Sequence, residues 1–127
     1  METGVEQTAM MQARHQEIDE KLAQLRREGE ERDARRLAEQ RGLPYMNLVG
    51  VPIELDALRL VDEMESRSAQ IVVIEKKRND IAVAAVDPET DGARAVLDRL
   101  RVGGYHIRLF VISRSGLEHA RTFYAYV

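Results

Sequence analysis

Two short runs of β-branched and small apolar residues, Ile71-Val72-Val73-Ile74 and Ile81 to Val86, flank a charged segment, Glu75 to Asp80, that contains Asn79-Asp80. Runs of this kind favour strands, and a polar turn between them predicts a β-hairpin. Apolar residues stand at neighbouring positions, Val72 beside Val73, with Ala82 and Ala84 across the turn. A strand wetted on one side would alternate. Both faces of this hairpin must therefore be at least partly covered, which calls for helices on one or both sides of a small sheet.

The flanking sequence supplies them. Residues 53–69 place Ala57, Leu60, Val61 and Met64 at helical spacing, with a break near Asp62, where Asp62 and Glu65 resemble a capping box. After the hairpin, Asp87-Pro88 reads as an N-cap and first helical residue, and Ala93, Val96, Leu97 and Leu100 form the buried stripe of a helix that Gly103-Gly104 closes. Tyr105 to Ile112 is the longest strand candidate; Tyr105, Ile107, Leu109 and Val111 face one way and His106, Arg108, Phe110 and Ile112 the other. Ser115 and Glu118 suggest a second capping box, opening a last helix with Leu117, Ala120 and Tyr124 inward. Tyr45 to Leu48 reads as a short strand before the turn residues Gly50 and Pro52. The class is α+β, with a three- to four-stranded βαββαβ-like sheet. The 88–102 helix becomes a right-handed crossover if the strands it joins are parallel.

Helices precede this unit. Met11, His15, Ile18, Leu22 and Leu25 recur at steps of four and three, on one helical face in a polar background. That narrow stripe packs either on the domain body or on another chain. Gly29 is expected to end this helix, and a second one, Glu31 to Arg41, presents Ala34, Leu37, Ala38 and Arg41 before Gly42 and Pro44. The chain is thus divided into a helical arm, residues 1–30, and an α+β domain, residues 31–127.

Composition narrows the functions. The 127 residues suffice for one domain of this kind. Residues 1–40 hold 7 basic and 10 acidic side chains and the remainder 12 of each, so the net charge of -3 sits in the first third. No basic stripe argues for nucleic acid, and a chain with 5% aromatics and no Trp offers no stacking platform. No cysteine means no disulfide, thiol nucleophile or thiolate metal site. No apolar run approaches the roughly 20 residues that cross a bilayer, and Met1 to Glu20 lacks a signal-peptide core, so a cytoplasmic protein with no direct membrane insertion is expected.

No phosphate-binding glycine loop or nucleophile elbow is present, and the capping reading accounts for Ser113 and Ser115. His15, His106 and His119 lack the i, i+4 spacing of a helical metal site. No catalytic residue, metal or cofactor is expected. Acidic pairs such as Glu54 with Asp56 and Asp62 with Glu63 lie at helix starts, where carboxylates cap. The densest basic cluster is Lys76-Lys77-Arg78. It is either an anion contact, with Arg108 as a further cation, or a hairpin tip kept soluble and unpaired by charge.

Several segments resemble the N-terminal domain of the type II secretion protein E and type IV pilus assembly ATPases. They are Leu37-Ala-Glu-Gln-Arg-Gly-Leu-Pro-Tyr-Met-Asn-Leu48, Glu75 through Pro88, Gly104-Tyr-His-Ile-Arg108 and Ser113-Arg-Ser-Gly-Leu-Glu118, in that family's order and spacing over about residues 31–127. Val61-Asp62-Glu63 stands where the family often has Ile-Pro-Glu, Val73 where a proline is frequent, and Arg78 where glycine is usual. The resemblance implies an accessory domain that docks a motor to an inner-membrane platform or adaptor protein, with a separate ATPase domain following. The chain stops at Val127, either as a piece of such a motor or as a stand-alone accessory domain. Peripheral membrane placement through the partner follows. The contact is assigned to Met11, Ile18, Leu22 and Leu25. The resemblance also implies an alternative, a cyclic di-GMP-type nucleotide sensor, for which Lys76, Lys77, Arg78 and Arg108 are the candidate ligands. Residues 17–43 carry Leu22, Leu25, Gly29, Leu37 and Gly42, but neither the Arg-Leu-Gly nor the second motif copy of the nucleotide-binding relatives.

Overall fold

The structure is a computed structural model that describes residues 3–127. A long helix α1 (Thr3–Arg41) is followed by α2 (Leu55–Leu58), α3 (Glu63–Ala69), β1 (Ile71–Lys77), β2 (Asp80–Ala85), α4 (Asp91–Val102), β3 (His106–Val111) and α5 (Arg114–Arg121). A 3-10 turn, Thr122–Tyr126, ends the fold. The sheet order is β1-β2-β3; the hairpin β1–β2 is antiparallel, and β2–β3 is parallel across the α4 connection.

Both faces of the sheet are buried, as the consecutive apolar residues require. On the first face Ile71, Val73, Ile81, Val83 and Ala85 pack with Val61 and with Ala93, Val96, Leu97 and Leu100 of α4. On the second, Val72, Ile74, Ala82, Ala84 and Ile112 pack with Leu48, Leu58, Leu117 and Ala120. The predicted split of the last strand holds: Ile107 and Leu109 join the first cluster, Phe110 and Ile112 the second. Tyr124 reaches in from the C-terminal turn, its hydroxyl donating to the Val61 carbonyl at 2.7 Å.

Asp62 caps α3, its carboxylate accepting from the Glu65 N–H at 2.8 Å. Other boundaries differ from expectation. Helix α4 is capped by Thr90, which accepts from the Ala93 N–H, while Asp87 accepts from the Glu89 N–H and shapes the preceding turn. Helix α5 is capped by Ser113 and not Ser115; buried Ser113 accepts from the Gly116 N–H at 2.9 Å. Tyr45 to Leu48 forms no full strand. Tyr45 makes one parallel bridge to Val111, after which the Asn47 side chain accepts from the Val49 N–H and Gly50, at φ 86°, turns the chain away.

The largest correction is at Gly29, where α1 runs straight through. One glycine costs a helix about 1 kcal/mol, too little to break a segment otherwise built of Ala, Leu, Glu, Gln, Lys and Arg. The helix ends at Gly42 instead. There φ is +66°, and the Leu43 and Gly42 N–H groups return to the carbonyls of Ala38 and Glu39, the Schellman pattern.

Candidate functional site

Helix α1 divides by environment, not by backbone. From Glu30 onward it sits on the body. Ala34 and Ala38 are buried. Glu31 accepts from the Tyr45 hydroxyl at 2.5 Å, and the Arg35 guanidinium lies 4.9 Å from the centre of the same ring. Burial first, and Glu31 second, push the Tyr45 hydroxyl up to about 12. Glu30 accepts from Ser115, which explains why that serine is not a cap. Arg41 closes the seam on Asp87 at 3.3 Å and Glu89 at 3.1 Å. Burial acts to raise the Asp87 carboxyl, but the Glu89 N–H and the Arg41 guanidinium outweigh it and hold the group below its ordinary value.

Before Gly29 nearly every side chain of α1 is exposed. This arm, residues 3–28, extends about 40 Å. The stripe lies on it: Met11, Ile18, Leu22 and Leu25 are 60%, 55%, 54% and 55% exposed. Among the described residues the stripe is therefore not packed on the body. The direction matters as well. At 100° per residue the stripe lies roughly 140° around the helix from the side carrying Ala34, Leu37, Ala38 and Arg41. A straight helix with these two faces cannot turn both toward one body.

The candidate nucleotide ligands lie elsewhere, at the open end of the second sheet face. Glu75, Ala82 and Arg108 are aligned across the three strands. The alanine side chain is short enough for the outer two to meet above it: Arg108 donates to the Glu75 carboxylate at 3.0 Å, and Lys77 Nζ is 3.1 Å from its other oxygen. Hydrogen bonds from Arg108, and then from Lys77, hold the Glu75 carboxyl below its ordinary value. An open cleft of about 250 Å³ lies beside this cluster, bounded by Met46, Val51, Pro52, Glu54, Ile74 and Phe110. Glu54 is fastened along β1, its N–H donating to the Ile74 carbonyl and its carboxylate accepting from the Lys76 N–H, both at 3.0 Å.

The structure therefore brings Lys77 and Arg108 together but not the full set. Lys76 is paired with Ile81 and does not line the cleft. Arg78 occupies the hairpin tip at φ 56°, the left-handed conformation that suits the glycine usual there in the resembling family. Sequence reasoning missed Glu75 and Glu54. Strict alternation puts Glu75 on the same face as Ile71 and Val73. A bulge between Val73 and Glu75 resets the register and turns Glu75 and Lys77 to the second face. The two cations thus arrive with two carboxylates beside them, and Glu75 is paired with both, so an incoming anion meets cations whose charge is already partly neutralised.

No protein-family model and no curated protein matches the chain. Solved structures do. The N-terminal domain of XpsE superposes with a TM-score of 0.59 at 23% identity, over 91% of this chain and 83% of that one. The chain shares that domain's fold. A structure of MshE with cdg matches with a TM-score of 0.61 at 24% identity, over 69% of this chain; the match spans 63% of the MshE chain. XpsE is a type II secretion ATPase and MshE a type IV pilus ATPase, so the fold agrees with the family resemblance carried by residues 31–127.

Proposed function

We propose that this chain is a protein-interaction domain of a type II secretion or type IV pilus machine, and that it docks a motor ATPase to an inner-membrane platform or adaptor protein through the α1 arm. The observation that carries this reading is the exposed Met11, Ile18, Leu22 and Leu25 stripe, facing away from the body. Apolar side chains in a row on one face of a projecting helix are the usual form of a helix that lies in a partner's groove. The domain is non-catalytic in this reading, ATP hydrolysis belonging to a separate domain; it is cytoplasmic and reaches the membrane only through its partner. No helix of the described residues is long and apolar enough to cross a bilayer.

The test is capture of the cognate platform or adaptor protein by the whole chain and by its Leu22→Asp, Leu25→Asp variant. Capture should weaken at least about tenfold, since two apolar contacts are replaced by charges that resist burial. The thermal midpoint of the α+β body should stay in place. Equal capture by both proteins would sink the proposal.

The fold shared with MshE, solved with cdg (c-di-GMP), favours a second reading, a nucleotide sensor using Lys77 and Arg108. Titration calorimetry with c-di-GMP decides it. Micromolar binding that disappears with Arg108→Ala establishes the sensor; heats indistinguishable from dilution leave the docking role alone.

A further inference from the structure

The two outer strands of the sheet are finished differently. On the open side of β1 the Glu54 N–H donates to the Ile74 carbonyl and the Glu54 carboxylate accepts from the Lys76 N–H, both at 3.0 Å, and the bulge between Val73 and Glu75 breaks the line of the strand. These are common guards of a sheet edge. Strand β3 has no bulge: its register with β2 runs unbroken from His106 to Val111. The N–H groups of His106 and Ile112 donate toward β2, to the carbonyls of Asn79 and Ala85. By alternation the N–H and C=O groups of Ile107, Leu109 and Val111 point outward. At Val111 they are taken, the N–H donating to the Pro44 carbonyl at 2.9 Å and the carbonyl accepting from the Met46 N–H at 3.0 Å. This parallel bridge goes no further. The next bond, to the Leu109 carbonyl, would have to come from the nitrogen of Pro44, which carries no hydrogen. Among the described residues the outward groups of Ile107 and Leu109 have no partner. Arg108 does not screen them, since its side chain is turned over the sheet to Glu75, at 3.0 Å.

We propose that a partner protein adds an extended segment to this edge, its backbone pairing with Ile107 and Leu109. Unpaired strand groups specify their occupant more narrowly than an apolar surface does, because an N–H and a C=O presented together on alternate residues are matched by another extended backbone. The bridge at Val111 is already such a pairing, made by the chain's own Pro44–Met46 segment. The incoming strand takes the same fourth-strand position on the His106 side of Pro44. Its side chains alternate as those of β3 do. Those on the first face lie beside half-buried Ile107 and Leu109 and are apolar; those on the second lie beside exposed His106 and Arg108 and are polar.

This inference rests on reading the chain as a docking domain for a platform or adaptor protein, and it adds a second point of contact to the stripe on α1. The stripe offers side chains and the edge offers backbone, so proline tells them apart. Proline at position 107 removes an N–H that β2 does not use and leaves the ladder between β2 and β3 whole.

Capture of the cognate platform or adaptor protein by the full chain should weaken at least about tenfold with Ile107→Pro, which deletes one hydrogen bond and leaves a carbonyl of the incoming strand unpaired. Ile107→Ala trims the same side chain but keeps the N–H, and should weaken capture by less than about threefold. The native complex gives a reading free of any substitution, which holds even where proline unfolds the body. On binding, amide exchange at Ile107 and Leu109 should slow at least about tenfold, while Arg108 and Phe110, whose N–H groups face β2, change little. Unchanged exchange at Ile107 and Leu109 in the complex overturns the proposal, as does equal capture by Ile107→Pro and the native chain. So does a loss that Ile107→Ala reproduces in full, or exchange at Ile107 that slows in the concentrated chain alone, the mark of a second copy on the edge. The arm fails separately. Capture lost with Leu22→Asp, Leu25→Asp but kept with Ile107→Pro removes the edge and keeps the stripe; the reverse removes the stripe and keeps the edge; no capture by the native chain removes both.

Discussion

Leu58 and Leu22 carry the same side chain into opposite surroundings. Leu58 is wholly buried against the second face of the sheet, and Leu22 is 54% exposed on the arm. The body follows the ordinary logic of folding, in which every run of apolar residues finds a layer to lie against. The arm has a comparably regular pattern and no layer to meet it. The proposed docking role gives that ordered apolar row a purpose that the stability of its own domain does not.

The sharpest way to break this comparison is to truncate both leucines. Leu58→Ala should cost about 2–5 kcal/mol, through lost burial and the cavity left behind. Leu22→Ala should stay within about 0.5 kcal/mol, as for surface positions that touch nothing. Urea unfolding at a concentration where the chain is monomeric reads both. A Leu22 cost matching that of Leu58 would mean that the stripe packs on the body after all.

A smaller effect is expected at the hairpin tip. Arg78 holds a left-handed backbone without being a glycine. Arg78→Gly should stabilise the body by about 0.5–1 kcal/mol, the relief of that conformation less the greater freedom of the unfolded chain. A loss on the same unfolding curve would show instead that the arginine side chain makes a contact worth more than the strain.

The smallest effect belongs to the joint between the two regions. Asp87 is held below its ordinary value of 3.8 in the folded chain, so its tie to Arg41 contributes above that pH and is lost as pH falls through the lower, folded value. The thermal midpoints of the native chain and of Asp87→Asn should therefore differ at about pH 7 and converge at about pH 2. A gap that persists undiminished in acid would assign the effect to something other than the carboxylate's charge.

Much of the body was legible because its signals are periodic. Consecutive apolar residues announced a sheet covered on both faces, alternation sorted Tyr105 to Ile112 between them, and Asp62 marked a helix start that the hydrogen bond to Glu65 bears out. The errors fall where one residue type serves two purposes. Asp87 and Ser115 look like caps, but one shapes a turn and the other meets Glu30 on a distant helix. Gly29 looks like a stop, yet the final turn of α1 is set by Gly42, where φ is positive. The cleft was the least legible, since a bulge exchanges the faces of Glu75 and Lys76 and leaves no mark in the alternation of the residues before it.

The uninterrupted course of α1 through Gly29 has a mechanical consequence. Its seat at Ala34 and Ala38 is the fulcrum of a stiff rod whose far end, at Thr3, lies about 45 Å away. A tilt of about 10° at that seat carries the tip through about 8 Å, so a slight rearrangement of the domain becomes a large sweep of its outermost turn.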